Sequence, residues 1–285
     1  MKISNYKNFL YENINPIMRY YSYDWDDNIL LMPTVIHMEH FINNKWTLED
    51  VSTVKFSKIR HNSNWRFLKN SESFTEFRDI GPRKKKAFIE DLKIAIQNKS
   101  YGPSWNNFIH CLISGSIFAI ITARGHESKS IKKGIKYIIK NVLTKEEKNE
   151  MAANLIEFKY KFSTKFDIMK NISFEKLLNS YLNKCDFIGI SSPSFRKKYF
   201  NISNPEKYPE KAKKIALNHF INKINFYGKQ INSDIRIGFS DDDKVTVNKI
   251  KQHFNDISQN FQNILFSVID TSNPDINGGI KNKIN

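Results

Sequence analysis

Cysteine is scarce in this chain of 285 residues: Cys111 and Cys185 stand far apart, each inside an apolar run. Their placement excludes a disulfide framework and any cysteine pair with zinc spacing, and it fits a reducing compartment. No apolar run approaches the roughly 18–20 residues that a bilayer span needs. The first residues, Met1 to Asn15, are polar and mixed in charge and lack the apolar stretch of a secretory signal. A soluble, intracellular, cytoplasmic protein is therefore expected. Histidine does not make up for the missing cysteine. His37, His40, His61, His110, His126, His219 and His253 show no compact ligand spacing, and His37 and His40 lie three apart where a strand is expected. Acid is also in deficit, with 29 Asp and Glu against 45 Lys and Arg, a formal charge of +16. Such an excess invites nucleic acid as a partner. Here, however, the basicity is diffuse, because lysine is plentiful along the whole chain. The clusters Arg83 Lys84 Lys85 Lys86 and Arg196 Lys197 Lys198 can meet phosphates or form solvated faces.

Against that background, three carboxylates in four positions stand out. The aromatic run Tyr20 Tyr21 Ser22 Tyr23 ends in Asp24 Trp25 Asp26 Asp27. Met18 to Tyr23 has apolar residues at both parities, as expected for a strand covered on both faces. Ile29 to Arg60 alternates weakly and breaks at Asn43 Asn44 Lys45, which predicts a β-hairpin, with Thr53 to Ile59 as a further strand. Asn62 to Gly81 reads as loop. From Pro82, placed in the first turn of a helix, Ala87, Phe88, Leu92, Ala95 and Ile96 mark a helical face. Trp105, Phe108, Ile109 and Leu112 mark another.

Ile117 to Ile121 is too short for a typical helix and is predicted as a second buried strand, ending in Thr122 Ala123 Arg124 Gly125. Thr144 Lys145 Glu146 Glu147 has capping-box spacing and opens a helix to about Phe158. A short helix over Phe174 to Leu182, a strand at Phe187 to Ile190, a turn-rich stretch from Ser191 to Pro209 and a helix over Lys211 to Ile224 follow. The strand Ile235 to Phe239 ends in Ser240 Asp241 Asp242 Asp243 and is succeeded by a helix over Val247 to Phe254. Ile264 to Ile269 is the last predicted strand, and the tail after Thr271 is expected to fray. Strands alternating with helices predict an α/β sandwich.

Three strands thus end in polar signatures, and in an open parallel sheet ligands bind beyond the carboxyl ends of the strands. Asp24 and Asp26, two residues apart, suit divided work: one carboxylate attacks phosphorus and the other moves protons. At ~4 Å and an effective dielectric near 20, two like unit charges repel by about 4 kcal/mol, so carboxylates gathered around a phosphate need a cation. Magnesium prefers such oxygen ligands. Asp24 with Asp241 or Asp242 are the natural ligands, joined by the backbone carbonyl of Asp26. Thr122 can donate to a phosphoryl oxygen, and Arg124 can add a bidentate contact or form an outward salt bridge. Lys211 is the preferred lysine to complete the charge balance, with Lys207, Lys213 and Lys214 as neighbours.

Asp24 Trp25 Asp26 Asp27 Asn28 resembles the first motif of the haloacid dehalogenase superfamily, whose usual form is Asp-x-Asp-Gly-Thr or Asp-x-Asp-x-Thr/Val after an apolar strand. Ile120 Ile121 Thr122 resembles the second motif, and Gly238 Phe239 Ser240 Asp241 Asp242 Asp243 the acidic fourth. In the first motif, glycine and a hydroxyl residue are replaced by Asp27 and Asn28, although Asn28 can still donate a hydrogen bond to substrate. In the fourth, the triplet leaves the ligand assignment open by one position.

The resemblance implies a Rossmann-like three-layer α/β sandwich with a mainly parallel central sheet and a small cap-like insertion. It also implies magnesium as cofactor and hydrolysis of phosphate monoesters through an aspartyl-phosphate. On that pattern Asp24 is the nucleophile, Asp26 the acid/base, Thr122 the phosphate hydroxyl and Lys211 the motif lysine. Asp24, Asp26, Asp241 and Asp242 hold the metal, and Thr122, Arg124 and Asn28 meet the substrate. One domain over 1–285 is expected, with its core near 16–30 and 103–270, an insertion near 31–102 and a flexible tail over 271–285. A small metabolite or nucleotide phosphate is the first substrate class, and a polynucleotide 3′- or 5′-end phosphate the second. A reading of a different class is a non-catalytic basic nucleic-acid-binding or scaffold protein that keeps the fold.

Overall fold

A computed structural model describes residues 18–80, 82–162, 172–199, 209–231 and 234–284. The chain enters through β1 (Met18–Tyr23) and then departs into an insertion of β2 (Ile36–Ile42), β3 (Lys45–Val51), α1 (Thr53–Ile59) and β4 (Trp65–Phe67), followed by a 3₁₀ segment, Lys69–Phe77. It returns through α2 (Ala87–Gln97) and α3 (Trp105–Ile113) to β5 (Phe118–Thr122). Next come α4 (Ser128–Asn141), α5 (Lys145–Phe162), α6 (Phe174–Lys184), β6 (Asp186–Gly189) and α7 (Pro193–Lys198). The last part holds α8 (Pro209–Ile231), β7 (Ile235–Asp241), α9 (Lys244–Ser258), β8 (Ile264–Asp270) and β9 (Ile280–Ile284).

Among the described residues, six strands form one sheet in the order β6-β5-β1-β7-β8-β9, and β2, β3 and β4 form a separate antiparallel sheet. All pairings in the large sheet are parallel except β8 with β9. This is the expected α/β sandwich with a mainly parallel sheet and a small antiparallel insertion. β5 is buried at every position, as a strand covered on both faces must be. α8 packs on β1, β5 and β7, while α9 packs on β7, β8 and β9. No helix among the described residues is long and apolar enough to cross a membrane.

The order of the strands locates the crevice. After β1 the chain builds the sheet outward on one side through β5 and β6, then crosses to build the other side through β7 and β8. β1 therefore lies at the topological switch point, where loops diverge from the strand ends and leave room for a ligand. Asp24 follows β1 directly, and Asp241 ends β7 beside it.

Local signals explain most elements. Asn43 and Asn44 both have left-handed backbones, φ 50° and 59°, the geometry of a two-residue hairpin turn between β2 and β3. Thr144 and Glu147 exchange the two hydrogen bonds of a capping box at the start of α5.

Several expectations are corrected. Thr53–Ile59 is a helix, not a strand: Ser52 caps it by accepting from the N–H of Lys55 at 3.2 Å, and Phe56 and Ile59 pack on Ile36, Met38, Val51 and Phe77. The stretch read as loop from Asn62 contains β4, which pairs with β2, and the 3₁₀ segment. Pro82 lies ahead of a 3₁₀ turn over Lys84–Lys86, so α2 starts only at Ala87. Ser192 caps α7 inside the turn-rich stretch. The tail expected to fray supplies β9, antiparallel to β8, with Ile284 buried against the core. Expectations that fall on residues 1–17, on Lys207 and on the rest of 200–208 lie outside the described residues.

Candidate functional site

Parallel pairing sets Tyr23 of β1 opposite Ser240 of β7, and the Asp24 N–H donates to the Ser240 carbonyl at 2.9 Å. The acidic ends of the two strands, remote in sequence, are thereby brought side by side. Asp24, Asp241 and Asp242 each offer an oxygen within 4.8 Å of the others. Lys213 of α8 lies between two of them, its Nζ 2.8 Å from Asp24 Oδ1 and 2.7 Å from Asp241 Oδ2. The contact to Asp241 is an aligned hydrogen bond. That to Asp24 is an ion pair by distance alone, and Asp24 Oδ1 is a buried oxygen with no aligned donor.

Burial dominates the electrostatics. It pushes Asp24 up to about 8, against the opposing pull of Lys213 and with Asp241 and Asp26 adding to the rise. Asp241 is raised by burial in spite of Lys213, and Asp242 is raised strongly by burial and by its neighbours Asp241 and Asp24. Burial alone would lower Lys213, yet Asp24 and Asp241 outweigh it and hold the ammonium charged. If all three carboxyls ionise, the single ammonium of Lys213 leaves net negative charge, which burial opposes and a divalent cation would neutralise. With oxygen donors only and an oxygen of Asp24 lacking an aligned donor, the residues fit a hard cation such as magnesium.

The third aspartate of the triplet has another task. Asp243 is the N-cap of α9, accepting from the Val245 N–H and, at 2.9 Å, from the Thr246 hydroxyl. Arg60 of the insertion approaches it at 3.4 Å. Asp241 Oδ1 in turn accepts from the Asp243 N–H at 3.0 Å, so the cap also orients a member of the cluster.

The other expected residues divide. The Asp26 carboxylate is outside the trio and is gripped by Arg124: Nε donates to both oxygens at 3.1 and 2.8 Å, and Nη2 to Oδ1 at 2.6 Å. Arg124 is therefore neither an outward salt bridge nor free to present its fork to a ligand. Thr122 ends β5 beside β1, fully buried, and its Oγ1 accepts from the Arg124 N–H at 3.3 Å. Lys211 is exposed on α8, and the place beside the carboxylates belongs to Lys213, two residues on. Its signal was helical phase: Lys213 falls in step with Leu217, Phe220 and Ile224 on the buried face of α8, where a lysine demands a counter-charge.

Asn28 is not available to a substrate. Its Nδ2 donates to the carbonyls of Asp24 and Ser240, each at 3.1 Å, and its Oδ1 accepts from the hydroxyls of Ser240 and Thr271 at 3.1 and 2.8 Å. It clasps the ends of β1, β7 and β8 together. Its own carbonyl accepts from the Ser104 N–H at 2.8 Å, and Gly102 packs so close that a Cβ there would meet that carbonyl oxygen at 2.5 Å. Asp27 takes the left-handed backbone that glycine would favour, φ 57°, and accepts from the Thr53 hydroxyl of α1 at 3.0 Å. Burial pushes its carboxyl up to about 6.

No family model, curated protein or solved structure matches this chain.

Proposed function

We propose that the protein is a magnesium-dependent phosphoric monoester hydrolase of the haloacid dehalogenase type, acting on a small metabolite or nucleotide phosphate. The observation that carries this reading is the meeting of Asp24, Asp241 and Asp242 around Lys213 at the switch point of the sheet. The Asp-x-Asp spacing after β1 and the threonine ending β5 support it. Asp24, Asp241 and Asp242 would hold the ion. When bound, magnesium neutralises charge on the carboxylates and on the phosphoryl oxygens.

The protein's own groups then divide the work. An oxygen of Asp24 attacks phosphorus as the bond to the leaving oxygen breaks, giving an aspartyl-phosphate. Asp26 supplies the proton that the leaving oxygen needs. It later takes one from the water that attacks phosphorus, which frees inorganic phosphate and restores Asp24. Lys213 keeps Asp24 and Asp241 in place. The Thr122 hydroxyl keeps its proton for a phosphoryl oxygen, while Arg124 holds the Asp26 carboxylate.

The test is phosphate release from small phosphomonoesters, nucleotides and oligonucleotides with 3′- or 5′-terminal phosphate, with magnesium and with chelator. Magnesium-dependent release is expected from the wild type, and a loss on the order of 10³-fold or more from Asp24→Asn. Failure of the wild type to hydrolyse any monoester would sink the reading. Activity surviving Asp24→Asn would remove the assigned nucleophile. Release confined to oligonucleotide ends would move the substrate to the second class.

A further inference from the structure

Arg124 is 1% exposed, and its guanidinium lies over the rings of Phe77 and Phe88, 4.6 and 5.6 Å from their centroids. A buried guanidinium is costly unless its donors are matched, and here two nitrogens are directed to named acceptors. Nε and Nη2 grip Asp26, and Nη2 also donates to the Thr34 hydroxyl at 2.8 Å. Thr34 passes its single proton to Asp91 at 2.6 Å, so its oxygen faces Arg124 as an acceptor and the direction of the chain is set. Asp91 is held by the fork of Arg83, which also binds Glu76. The series Asp26, Arg124, Thr34, Asp91, Arg83, Glu76 alternates in charge apart from its one hydroxyl. It runs from the strand end of β1, through the loop after β5, into the inserted segment and α2.

We infer that Arg124 is a positioning residue for Asp26, and that Thr34 makes the insertion part of the apparatus that aims this carboxylate. This rests on the hydrolase reading above and assigns to that site a role for its insertion other than covering it. A planar fork sets both the place and the plane of a carboxylate, whereas a lysine sets only its distance. A misplacement near 1 Å at a proton-transferring group can cost on the order of 10²-fold in rate. A substrate-binding Arg124 would instead act on KM.

The test is a double-mutant cycle on phosphate release, with kcat and KM resolved. Arg124→Lys is expected to lower kcat by about 10- to 100-fold with KM changed by less than about threefold. In an Asp26→Asn background the same change is expected to alter kcat by less than about twofold, because a residue acting through Asp26 has nothing left to aim. Thr34→Val, which keeps shape but loses the hydroxyl, gives a smaller kcat loss that also vanishes in Asp26→Asn. If circular dichroism shows Arg124→Lys unfolded, the Thr34→Val cycle decides. Additive losses, a loss confined to KM, or wild-type kcat in the variants would overturn the inference while leaving the hydrolase reading intact. A wild type inactive on every monoester would overturn both.

Discussion

Asn28 has four hydrogen-bonding positions, and all four are used within the protein. Removing its amide leaves two buried carbonyls and two hydroxyls short of a partner. Asn28→Ala is therefore expected to cost about 2–4 kcal/mol, read as a lowered urea midpoint with an unchanged slope. A change under about 0.5 kcal/mol would contradict the clasp. At this scale the carboxylates were legible because they stand at the ends of apolar strands, and Asp24, Asp241 and Asp242 do meet. What Asn28 and Arg124 do was not legible. Their partners Ser240, Thr271 and Thr34 lie far off in the chain, and nothing in a short window distinguishes an amide facing a ligand from one joining three strands.

Among the elements, α8 carries the clearest test. Lys213→Met leaves Asp24 and Asp241 buried without their ammonium and is expected to cost about 3–5 kcal/mol at pH 8. The loss should shrink at pH 5, where Asp24, raised by burial to about 8, holds its proton. Lys211→Met, two positions away and exposed, should stay within about 1 kcal/mol. Denaturation of both variants at both pH values checks the assignment, and equal losses would refute it. The strands of the large sheet were legible from their apolar runs, and the start of α5 from its capping box. Thr53–Ile59 misled because Val54 and Phe56 alternate like a strand, while Phe56 and Ile59 keep helical spacing. The Ser52 cap decided between the two patterns. β9 was invisible because Ile280–Ile284 is polar apart from its ends and becomes a strand only by pairing with β8.

For the molecule as a whole, the buried carboxylates tie stability to pH and, on the proposed reading, to magnesium. Asp24 is raised to about 8 from its ordinary range, so the ion-free fold keeps a proton that the unfolded chain gives up. The stability this contributes is complete below about pH 4 and is lost as pH rises through about 8. Magnesium needs the deprotonated carboxylates and so competes with that proton. The rise in Tm on adding magnesium is thus expected to be larger at pH 8 than at pH 5.5. Thermal unfolding with and without the ion checks this, and an equal or reversed difference would contradict it. The strand order also bears on synthesis. Ser22 of β1 bonds to Gly238 of β7 across 216 residues of chain. At about 5–20 residues per second, the first strand leaves the ribosome on the order of ten to forty seconds before that neighbour exists. Until then the edge of β1 that faces β7 has no mate and Asp24 lacks Asp241 and Asp242, so a truncated translation product would carry half of the centre and one open strand edge.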